Sequence, residues 1–370
     1  MAVVAILAGY APSLINFRGH LIKDLIARQA CVYAIAPDMD TETASVLIGY
    51  GARPIRCGFD RVGLNAIKDL VNLIRLALVL YKIRCDLFVG YTVKPVVFGT
   101  IAAKMSGVRD VYALITGLGY SFFGESKKQK IIGCVARLIY KIALHFCSGV
   151  IFQNPDDLIE FKLRSLLSHE RVTVVNGSGV DLDRFSPVGI PDTGFRFLMI
   201  ARLYREKGIC EYLRAAEKIK SIYPGVKIRL VGRIDGNPNS IDPNFLIRFI
   251  DNEVIEYFEG SKDVREHIKE STVLVHPSYR EGVPRVVLEA MAMARPIITT
   301  DAPGCRETVQ HGVNGFLINI RDSTALVNVM ARMIEEPQIL ESMGRKSREI
   351  AEERFNVHSV NCNIIKFLKI

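Results

Sequence analysis

The chain has 370 residues, which is too long for one comfortable hydrophobic core and suits two domains of similar size. Its composition is that of an ordinary folded protein, and its eight cysteines show neither a Cys-x-x-Cys pair nor a framework spacing; with no secretory signal pattern, they predict reduced thiols in a cytosolic protein without structural zinc. The formal charge of +9 lies mostly in residues 1–185, where 22 Lys and Arg face 15 Asp and Glu. This asymmetry indicates an anionic partner, namely nucleic acid, a phosphorylated substrate or an acidic membrane surface.

Strand and helix patterns alternate along the chain, as in doubly wound parallel sheets. A first series of apolar runs that end in turn residues comprises Val3–Ala8, Val32–Ala36, Leu87–Val89 and Val111–Ile115. A second series comprises Phe195–Ile200, Lys227–Val231, Val254–Phe258, Val273–His276 and Pro296–Thr300. Proline and glycine are frequent in the stretch between the two series. We therefore expect an α/β protein with two nucleotide-binding-type domains and a cleft between them.

The domain bounds that follow are residues 1–185, a linker at 186–194 and residues 195–355. A last helix at about 356–370 is expected to pack back on the first domain.

Two segments of the first half are apolar but repeatedly interrupted by charge, Leu64–Ile83 and Lys127–Cys147. Neither offers the run of about 20 apolar residues that a membrane-spanning helix needs. Each fits an amphipathic helix on a membrane surface, and each also fits a core-packing helix with a solvated basic face. Lys127, Lys128 and Lys130 are the candidate membrane contacts.

Ligands of open α/β sheets bind beyond the carboxyl ends of the strands, so the candidate functional loops follow the strands. These loops are Gly9–Gly19, Thr116–Gly124, Arg202–Gly208, Gly232–Asn237, Pro277–Pro284 and Asp301–Glu307.

The most informative segment runs from Tyr279 to Glu289. Pro284 suits the first turn of a helix, and the free N–H groups of that turn, with the helix dipole, suit a diphosphate. Glu281 precedes the helix and Glu289 lies inside it. A carboxylate beside an anion site would repel the anion unless it accepts hydrogen bonds from hydroxyl groups. Two such carboxylates, one on each side of the expected diphosphate site, therefore suggest a sugar near one and a ribose near the other.

Arg202 and Lys207 directly follow the strand that ends at Ile200. At a strand's carboxyl end they can neutralise a leaving diphosphate, Arg through a bidentate fork and Lys as a point charge. Arg205, between them, fits a solvated residue.

These motifs resemble the retaining GT-B glycosyltransferases of family 4, whose signature is a pair of glutamates separated by seven residues. The remaining matches are Asn176–Asp181 with Arg184-Phe185, Glu206-Lys207-Gly208, Val231-Gly232, Phe258-Glu-Gly260, His276-Pro-Ser, Ala290-Met-Ala, Arg295-Pro-Ile, Gly304 with Glu307, and Gly312-Val-Asn-Gly315. The resemblance is dense over about residues 171–356. It implies a GT-B fold of two Rossmann-like parallel-sheet domains that face each other across a cleft.

The resemblance also implies roles for individual residues. Arg202 and Lys207 would hold the donor diphosphate, Glu281 the sugar hydroxyls and Glu289 the ribose. Further expected donor contacts are Gly9, the backbone around Gly282, Val283, Pro284 and Arg285, and, near the base, Phe258 and Gly260. Family members often carry a His where this chain has Thr116-Gly117, so these two residues are assigned to the acceptor side without a catalytic role.

The sequences Tyr91-Thr-Val-Lys-Pro95 and Ile115–Phe122 are similar to a narrower group. Those enzymes extend lipid-linked sugars in bacterial O-antigen, capsule or N-glycan assembly, several with UDP-N-acetylgalactosamine. The resemblance implies a UDP-sugar donor, a polyprenyl-diphosphate-linked acceptor and a place on the anionic cytoplasmic face of the membrane. It implies no nucleic-acid partner.

Other signals are weaker. Asp38-Met-Asp40 and Asp181-Leu-Asp183 match a short metal-binding pattern of another glycosyltransferase fold, but with Arg202 and Lys207 present we expect neither a metal nor another cofactor. Gly117-Leu-Gly119 lacks the third glycine of a dinucleotide fingerprint. For His20 and His276, a surface or core role is favoured over acid–base chemistry. The alternatives to a transferase are a nucleotide-sugar epimerase or hydrolase of similar fold, and a non-catalytic membrane-bound sensor of sugar nucleotides.

Overall fold

The computed structural model describes residues 1–60, 66–117, 127–167, 171–192, 194–237 and 239–370, except for the side chains of residues 66, 127–132 and 136. The chain forms two compact units. Unit 1 comprises Met1–Ser178 and Val357–Ile370, and unit 2 comprises Gly179–Asn356.

Unit 1 is built on a parallel sheet of seven strands in the order β3-β2-β1-β4-β5-β6-β7. The strands are β1 (Val3–Leu7), β2 (Cys31–Ala36), β3 (Arg53–Arg56), β4 (Leu87–Tyr91), β5 (Asp110–Ile115), β6 (Gly149–Phe152) and β7 (Val172–Val174). The helices are α1 (Pro12–Ala27), α2 (Thr41–Gly49), α3 (Ala66–Lys82), α4 (Thr100–Met105), α5 (Lys127–His145), α6 (Pro155–Leu163) and α13 (Val357–Leu368).

Helices cover both faces of this sheet, because successive strand residues point to opposite sides. One face, with Val4 and Ile6 of β1, packs against α1, α2 and α13. The other face, with Ala5 and Leu7, packs against α3, α4, α5 and α6. The C-terminal helix α13 thus lies in the layer that holds α1.

Unit 2 has a parallel sheet of six strands in the order β10-β9-β8-β11-β12-β13. The strands are β8 (Arg196–Ile200), β9 (Lys227–Val231), β10 (Glu256–Phe258), β11 (Val273–His276), β12 (Ile297–Thr300) and β13 (Gly315–Ile318). The helices are α7 (Ile209–Ile222), α8 (Pro243–Asp251), α9 (Arg265–Lys269), α10 (Arg285–Ala292), α11 (Ser323–Glu335) and α12 (Gln338–Phe355). The order reverses between β8 and β11, and this switch point is where an α/β sheet opens its ligand crevice.

Residues 179–185, which were expected to end the first domain, pack into unit 2. Val180 and Phe185 are buried in its core, and the Arg348 guanidinium donates to the carbonyls of Leu182 and Phe185 at 3.3 and 3.0 Å. The division between the units falls at Ser178, a few residues before the expected bound at 185.

Among the described residues, no helix is both long enough and apolar enough to cross a membrane.

Arg295 is the largest fully buried side chain of those described. Its guanidinium donates to the carbonyls of Ile268, Lys269, Val188 and Gly189 at 2.9–3.2 Å. Burial lowers its pKa to about 10. The side chain therefore ties the entry segment of unit 2 to the end of α9 through four backbone acceptors.

We expect Arg295→Met to destabilise unit 2 by at least about 2 kcal/mol, because buried carbonyls lose their donors. Thermal unfolding followed by circular dichroism should show a melting temperature lowered by roughly 5 °C. Arg345→Met is the matched control, since Arg345 is an exposed residue of α12. Equal melting temperatures for the two variants would contradict the assignment.

Candidate functional site

Three side chains meet at the switch point of the unit 2 sheet. Lys207 ends the short 3-10 helix Arg205–Lys207 that follows β8, His276 is the last residue of β11, and Glu281 lies in the loop between β11 and α10. Strands β8 and β11 are hydrogen-bonded neighbours, so residues at their carboxyl ends are brought together although about seventy positions separate them.

Glu281 is the centre of this cluster. Its Oε1 lies 2.5 Å from Lys207 Nζ and 3.1 Å from His276 Nε2. The Lys207 and Glu281 side chains are each 16% exposed. Burial by itself would raise the pKa of Glu281, but the Lys207 charge and the His276 hydrogen bond outweigh it and hold the pKa well below its usual range. Glu281 is therefore an ionised carboxylate in a nearly dry site.

His276 orients that carboxylate. The imidazole is buried, and its Nδ1 has no hydrogen-bond partner among the described residues. A neutral imidazole carries one proton, so the arrangement with Nε2–H donating to Glu281 leaves only the acceptor Nδ1 unpaired. The His276 carbonyl accepts a hydrogen bond from Thr299 Oγ1 at 2.7 Å, which fixes the strand end in turn.

The loops that carry Lys207 and Glu281 are joined through their backbones. Tyr279 N donates to the Glu206 carbonyl at 2.8 Å, and Glu281 N donates to the Pro303 carbonyl at 2.9 Å. Gly208 has φ +74°, and a Cβ there would lie 2.1 Å from the Pro277 carbonyl oxygen. Only glycine permits that approach, and with it the position of Lys207 beside Glu281.

Glu289 lies one helical turn inside α10 and is bound by its own helix. Its Oε1 accepts from Arg285 Nε at 2.8 Å, and its side chain is 12% exposed. Burial raises the pKa of Glu289, and the charges of Arg285 and Arg184 oppose that rise. Pro284 stands just before the helix rather than in its first turn, and its carbonyl accepts the Val287 and Leu288 N–H groups.

Arg202 occupies a different place from Lys207. It is exposed, and its guanidinium lies over the Tyr204 ring at 4.7 Å from the centroid. The Tyr204 hydroxyl donates to Asp235 at 2.5 Å, which holds the ring under the guanidinium. An exposed, ring-supported guanidinium at a strand's carboxyl end is available to an anionic ligand.

Phe258 is the last residue of β10 and Gly260 follows it, next to the end of β9. Phe258 is 40% exposed and has the Arg229 guanidinium over its ring at 4.9 Å. The Phe258 carbonyl accepts the N–H groups of Gly232 and Gly260 at 2.9 and 2.8 Å. The ends of β9 and β10 are thus joined by a backbone hydrogen bond, and the Phe258 ring beside it is accessible.

This arrangement of a buried, ionised carboxylate beside a lysine at the switch point agrees with a family match. The model for glycosyl transferases group 1 covers residues 182–350. Residues 182–350 are a glycosyl transferases group 1 domain. The Lys207–Glu281–His276 cluster and the other unit 2 site residues described in this section fall within that domain.

Two relatives match most of the chain. A Campylobacter jejuni N,N'-diacetylbacillosaminyl-diphospho-undecaprenol alpha-1,3-N-acetylgalactosaminyltransferase is 26% identical over 94% of this chain and 93% of its own. An Escherichia coli UDP-Gal:alpha-D-GlcNAc-diphosphoundecaprenol alpha-1,3-galactosyltransferase is 26% identical over 80% and 78%. Both are named as enzymes of undecaprenyl-diphosphate-linked sugars, which confirms the narrower resemblance drawn from the motifs.

Solved structures share the fold. A sucrose-phosphate synthase from Thermosynechococcus elongatus superposes with a TM-score of 0.82 over 100% of this chain and 98% of its own, at 18% identity. Anabaena HepE in complex with UDP gives 0.79 over 100% of both chains, also at 18% identity. With the two parallel sheets, these neighbours confirm the expected GT-B class with two Rossmann-like domains.

The predicted site residues outside the group 1 domain belong to unit 1. Gly9 is buried just after β1, and a Cβ there would lie 3.1 Å from Thr92 Oγ1. Thr116 and Gly117 directly follow β5, and Gly117 has φ +114°. The side chains of Lys127, Lys128 and Lys130 in the first turn of α5 lie outside the described part.

The aspartates of the two Asp-x-Asp sequences accept hydrogen bonds from backbone N–H groups. Asp38 accepts the Ala11 N–H at 2.8 Å, Asp40 caps α2 by accepting the Thr43 N–H at 2.7 Å, and Asp181 accepts the N–H groups of Asp183 and Arg184. Within the described ranges, no three His, Cys, Asp or Glu side chains are grouped closely enough to hold a metal ion. The expectation of a reaction without a metal stays a prediction.

His276 is the site residue that the sequence interpretation missed, since a core or surface role was favoured for it. The available signal was its position as the last residue of a strand at the switch point, five residues before Glu281.

We expect Lys207→Met to destabilise unit 2 by about 3 kcal/mol at neutral pH, because Glu281 keeps its buried charge without its cation. The depressed pKa of Glu281 means that the pair stabilises the fold above the ordinary glutamate pKa of 4.5, and that this contribution is lost as the pH falls below it. The difference in melting temperature between wild type and variant should therefore shrink on acidification. Arg205→Met, an exposed change two residues away, should leave the melting temperature unchanged; a pH-independent difference for Lys207→Met would argue against the pair.

Proposed function

We propose that the chain is a retaining glycosyltransferase that moves a sugar from a UDP-sugar to a polyprenyl-diphosphate-linked saccharide during bacterial surface polysaccharide or glycan assembly. N-acetylgalactosamine is the favoured sugar. The observation that carries the proposal is the Lys207–Glu281–His276 cluster at the switch point of the group 1 domain. It offers a cation for a leaving phosphate and a fixed carboxylate for sugar hydroxyls within one site.

The donor assignment draws support from both comparisons. The Campylobacter jejuni relative, which aligns over nearly the whole chain, is named as an N-acetylgalactosaminyltransferase. The Escherichia coli relative is named for a UDP-linked donor, and HepE was solved with UDP and with UDP-glucose. On this proposal UDP-sugar is a substrate, and no metal or other cofactor takes part.

In the proposed reaction, the acceptor hydroxyl attacks the anomeric carbon from the face that the diphosphate leaves. The new glycosidic C–O bond forms as the bond to the diphosphate oxygen breaks, and the hydroxyl proton passes to that oxygen. Lys207 and Arg202 stabilise the negative charge that develops on the leaving group. Glu281, held by His276, accepts hydrogen bonds from sugar hydroxyls, and Glu289 accepts them from the ribose.

The site also determines what the donor must displace. Lys207 Nζ is paired with Glu281 in the structure, so a diphosphate that takes this cation must compete with the carboxylate. Glu281 then keeps the His276 hydrogen bond and gains hydroxyl donors in place of the ammonium. A ligand with both an anionic part and hydroxyl groups can pair with Lys207 and also donate hydrogen bonds to Glu281. Inorganic diphosphate can only pair with Lys207.

The acceptor side is assigned to unit 1, with Thr116 and Gly117 at the end of β5, while Gly9 after β1 is assigned to the donor. The excess of basic residues in the first half of the chain suits a polyprenyl diphosphate and an anionic cytoplasmic membrane face. We propose peripheral association with that face, with Lys127, Lys128 and Lys130 as electrostatic contacts.

Purified protein should transfer one sugar from a single member of a UDP-sugar panel to an undecaprenyl-diphosphate-linked saccharide. Mass spectrometry of the acceptor identifies the sugar, and proton coupling at the new anomeric centre should show the α configuration of the donor. Turnover should persist in excess chelator. Donor consumption without a mass increase of any acceptor would favour the hydrolase or epimerase alternative, and UDP binding without consumption would favour the sensor.

Arg202→Ala should lower kcat for this transfer by about 100-fold, because a positioned cation that stabilises developing charge is lost. Arg205→Ala is the control, since Arg205 is also basic and exposed and lies three residues away. The decisive comparison is the kcat of the two variants at saturating donor. Wild-type turnover in Arg202→Ala would remove this residue from the mechanism.

A further inference from the structure

The outer face of α3 is apolar although it is exposed. Six large side chains of this one helix are between 43% and 79% exposed, and they are Ile67, Leu70, Val71, Ile74, Leu78 and Tyr81. Their spacing places them on one stripe that runs the full length of the helix. Contiguous exposed apolar patches of this kind are rare on soluble monomers and mark interaction surfaces.

The orientation of α3 is fixed from its other side. Leu73, Leu76 and Leu80 are buried against the sheet of unit 1. Asp69, also buried, accepts Lys94 Nζ at 2.8 and 2.9 Å. The side of α3 that faces the sheet is therefore fully packed. The apolar stripe lies on the opposite side and is not exposed by loose docking of the helix.

A row of basic residues lines one edge of the stripe. Lys68, Arg75 and Lys82 are seven residues apart and all exposed. Seven residues are close to two helical turns, so the three cations lie almost above one another, about 10 Å apart. An apolar stripe with cations along its margin is the pattern of a helix that lies in the plane of a lipid interface.

Helix α5, on the same side of the unit 1 sheet, also exposes apolar residues. It packs in the same layer as α3, and its Val135, Leu138 and Ile142 are 47–60% exposed. The opposite layer differs, since α13 covers α1 there and its Val360, Ile364 and Leu368 are buried. The exposed apolar residues of unit 1 are thus concentrated on one side of its sheet.

We propose that the outer face of α3 inserts into the interfacial region of an anionic bilayer, with the basic row at the level of the headgroups. Charge complementarity selects the bilayer as the occupant, because long basic side chains can keep their stems on apolar surface while their charges reach lipid phosphates. This proposal rests on the proposed function, because a lipid-linked acceptor is the reason for the enzyme to bind a membrane. It goes further by assigning hydrophobic insertion to α3, in addition to electrostatic capture by the lysines of α5.

The chain contains no tryptophan, so a single introduced tryptophan reports its surroundings without background. Leu70→Trp on α3 and Ile48→Trp on α2 form a matched pair, because both positions are exposed, at 58% and 61%. The probe is vesicles of phosphatidylcholine and phosphatidylglycerol, with and without lipids brominated on their acyl chains. Emission of Leu70→Trp should shift to the blue and be quenched by the brominated lipids, whereas emission of Ile48→Trp should not change.

No shift and no quenching at position 70 would overturn the proposal. A blue shift that appears without vesicles and grows with protein concentration would also overturn it, and would indicate a second copy of the chain on this face. These fluorescence results do not depend on turnover, so a failure of insertion and a failure of the proposed function are separate outcomes.

A second pair of variants measures the contribution to binding. Leu70→Glu with Leu78→Glu should weaken partition into the same vesicles at least 10-fold, also at high salt, where electrostatic capture is screened. Ile48→Glu should leave partition unchanged. Sugar transfer to a detergent-solubilised acceptor should be retained in both, which shows that they are folded; unchanged partition of the double variant would contradict insertion.

Discussion

The candidate site depends on one ion pair, that of Lys207 with Glu281. A carboxylate with little solvent access is costly when ionised, and the nearby ammonium and the His276 hydrogen bond offset that cost. The pair exists because β8 and β11 are neighbours in the sheet and because Gly208 lets the chain pass within contact of Pro277. The local charge balance is therefore a direct consequence of strand order and one backbone conformation.

This charge balance determines what a bound donor would have to displace, because Lys207 and Glu281 already pair with each other. In the proposed reaction a diphosphate takes Lys207 from Glu281, and the carboxylate accepts hydrogen bonds from sugar hydroxyls instead. His276 is suited to keep Glu281 in place during that exchange, because its own position is fixed by the strand end and by Thr299. On this view the selectivity for a sugar nucleotide over a free phosphate lies in the carboxylate as much as in the cation.

The repeating strand and helix pattern was enough to predict the class of fold, because buried parallel strands such as β1 and β4 are continuous apolar runs. The strands missed by that pattern are β3, β6, β7 and β13. Edge strand β3 reads Arg-Pro-Ile-Arg, which has no apolar run, and β7 has only three residues. Residues 179–185 were expected in the first domain, but buried Val180 and Phe185 make them part of unit 2.

For the site, residue type and motif spacing identified Lys207, Glu281 and Glu289 as donor-site groups on two separate segments, but not their partners. That His276 would touch Glu281 and that Arg285 would bind Glu289 depends on side-chain directions set by the folded strand and helix. The same holds for α3, whose sequence fits both a buried helix and a surface helix. In the fold, Leu73, Leu76 and the Asp69–Lys94 pair occupy the inner face of the helix, so the remaining apolar stripe is the surface that we propose inserts into a bilayer.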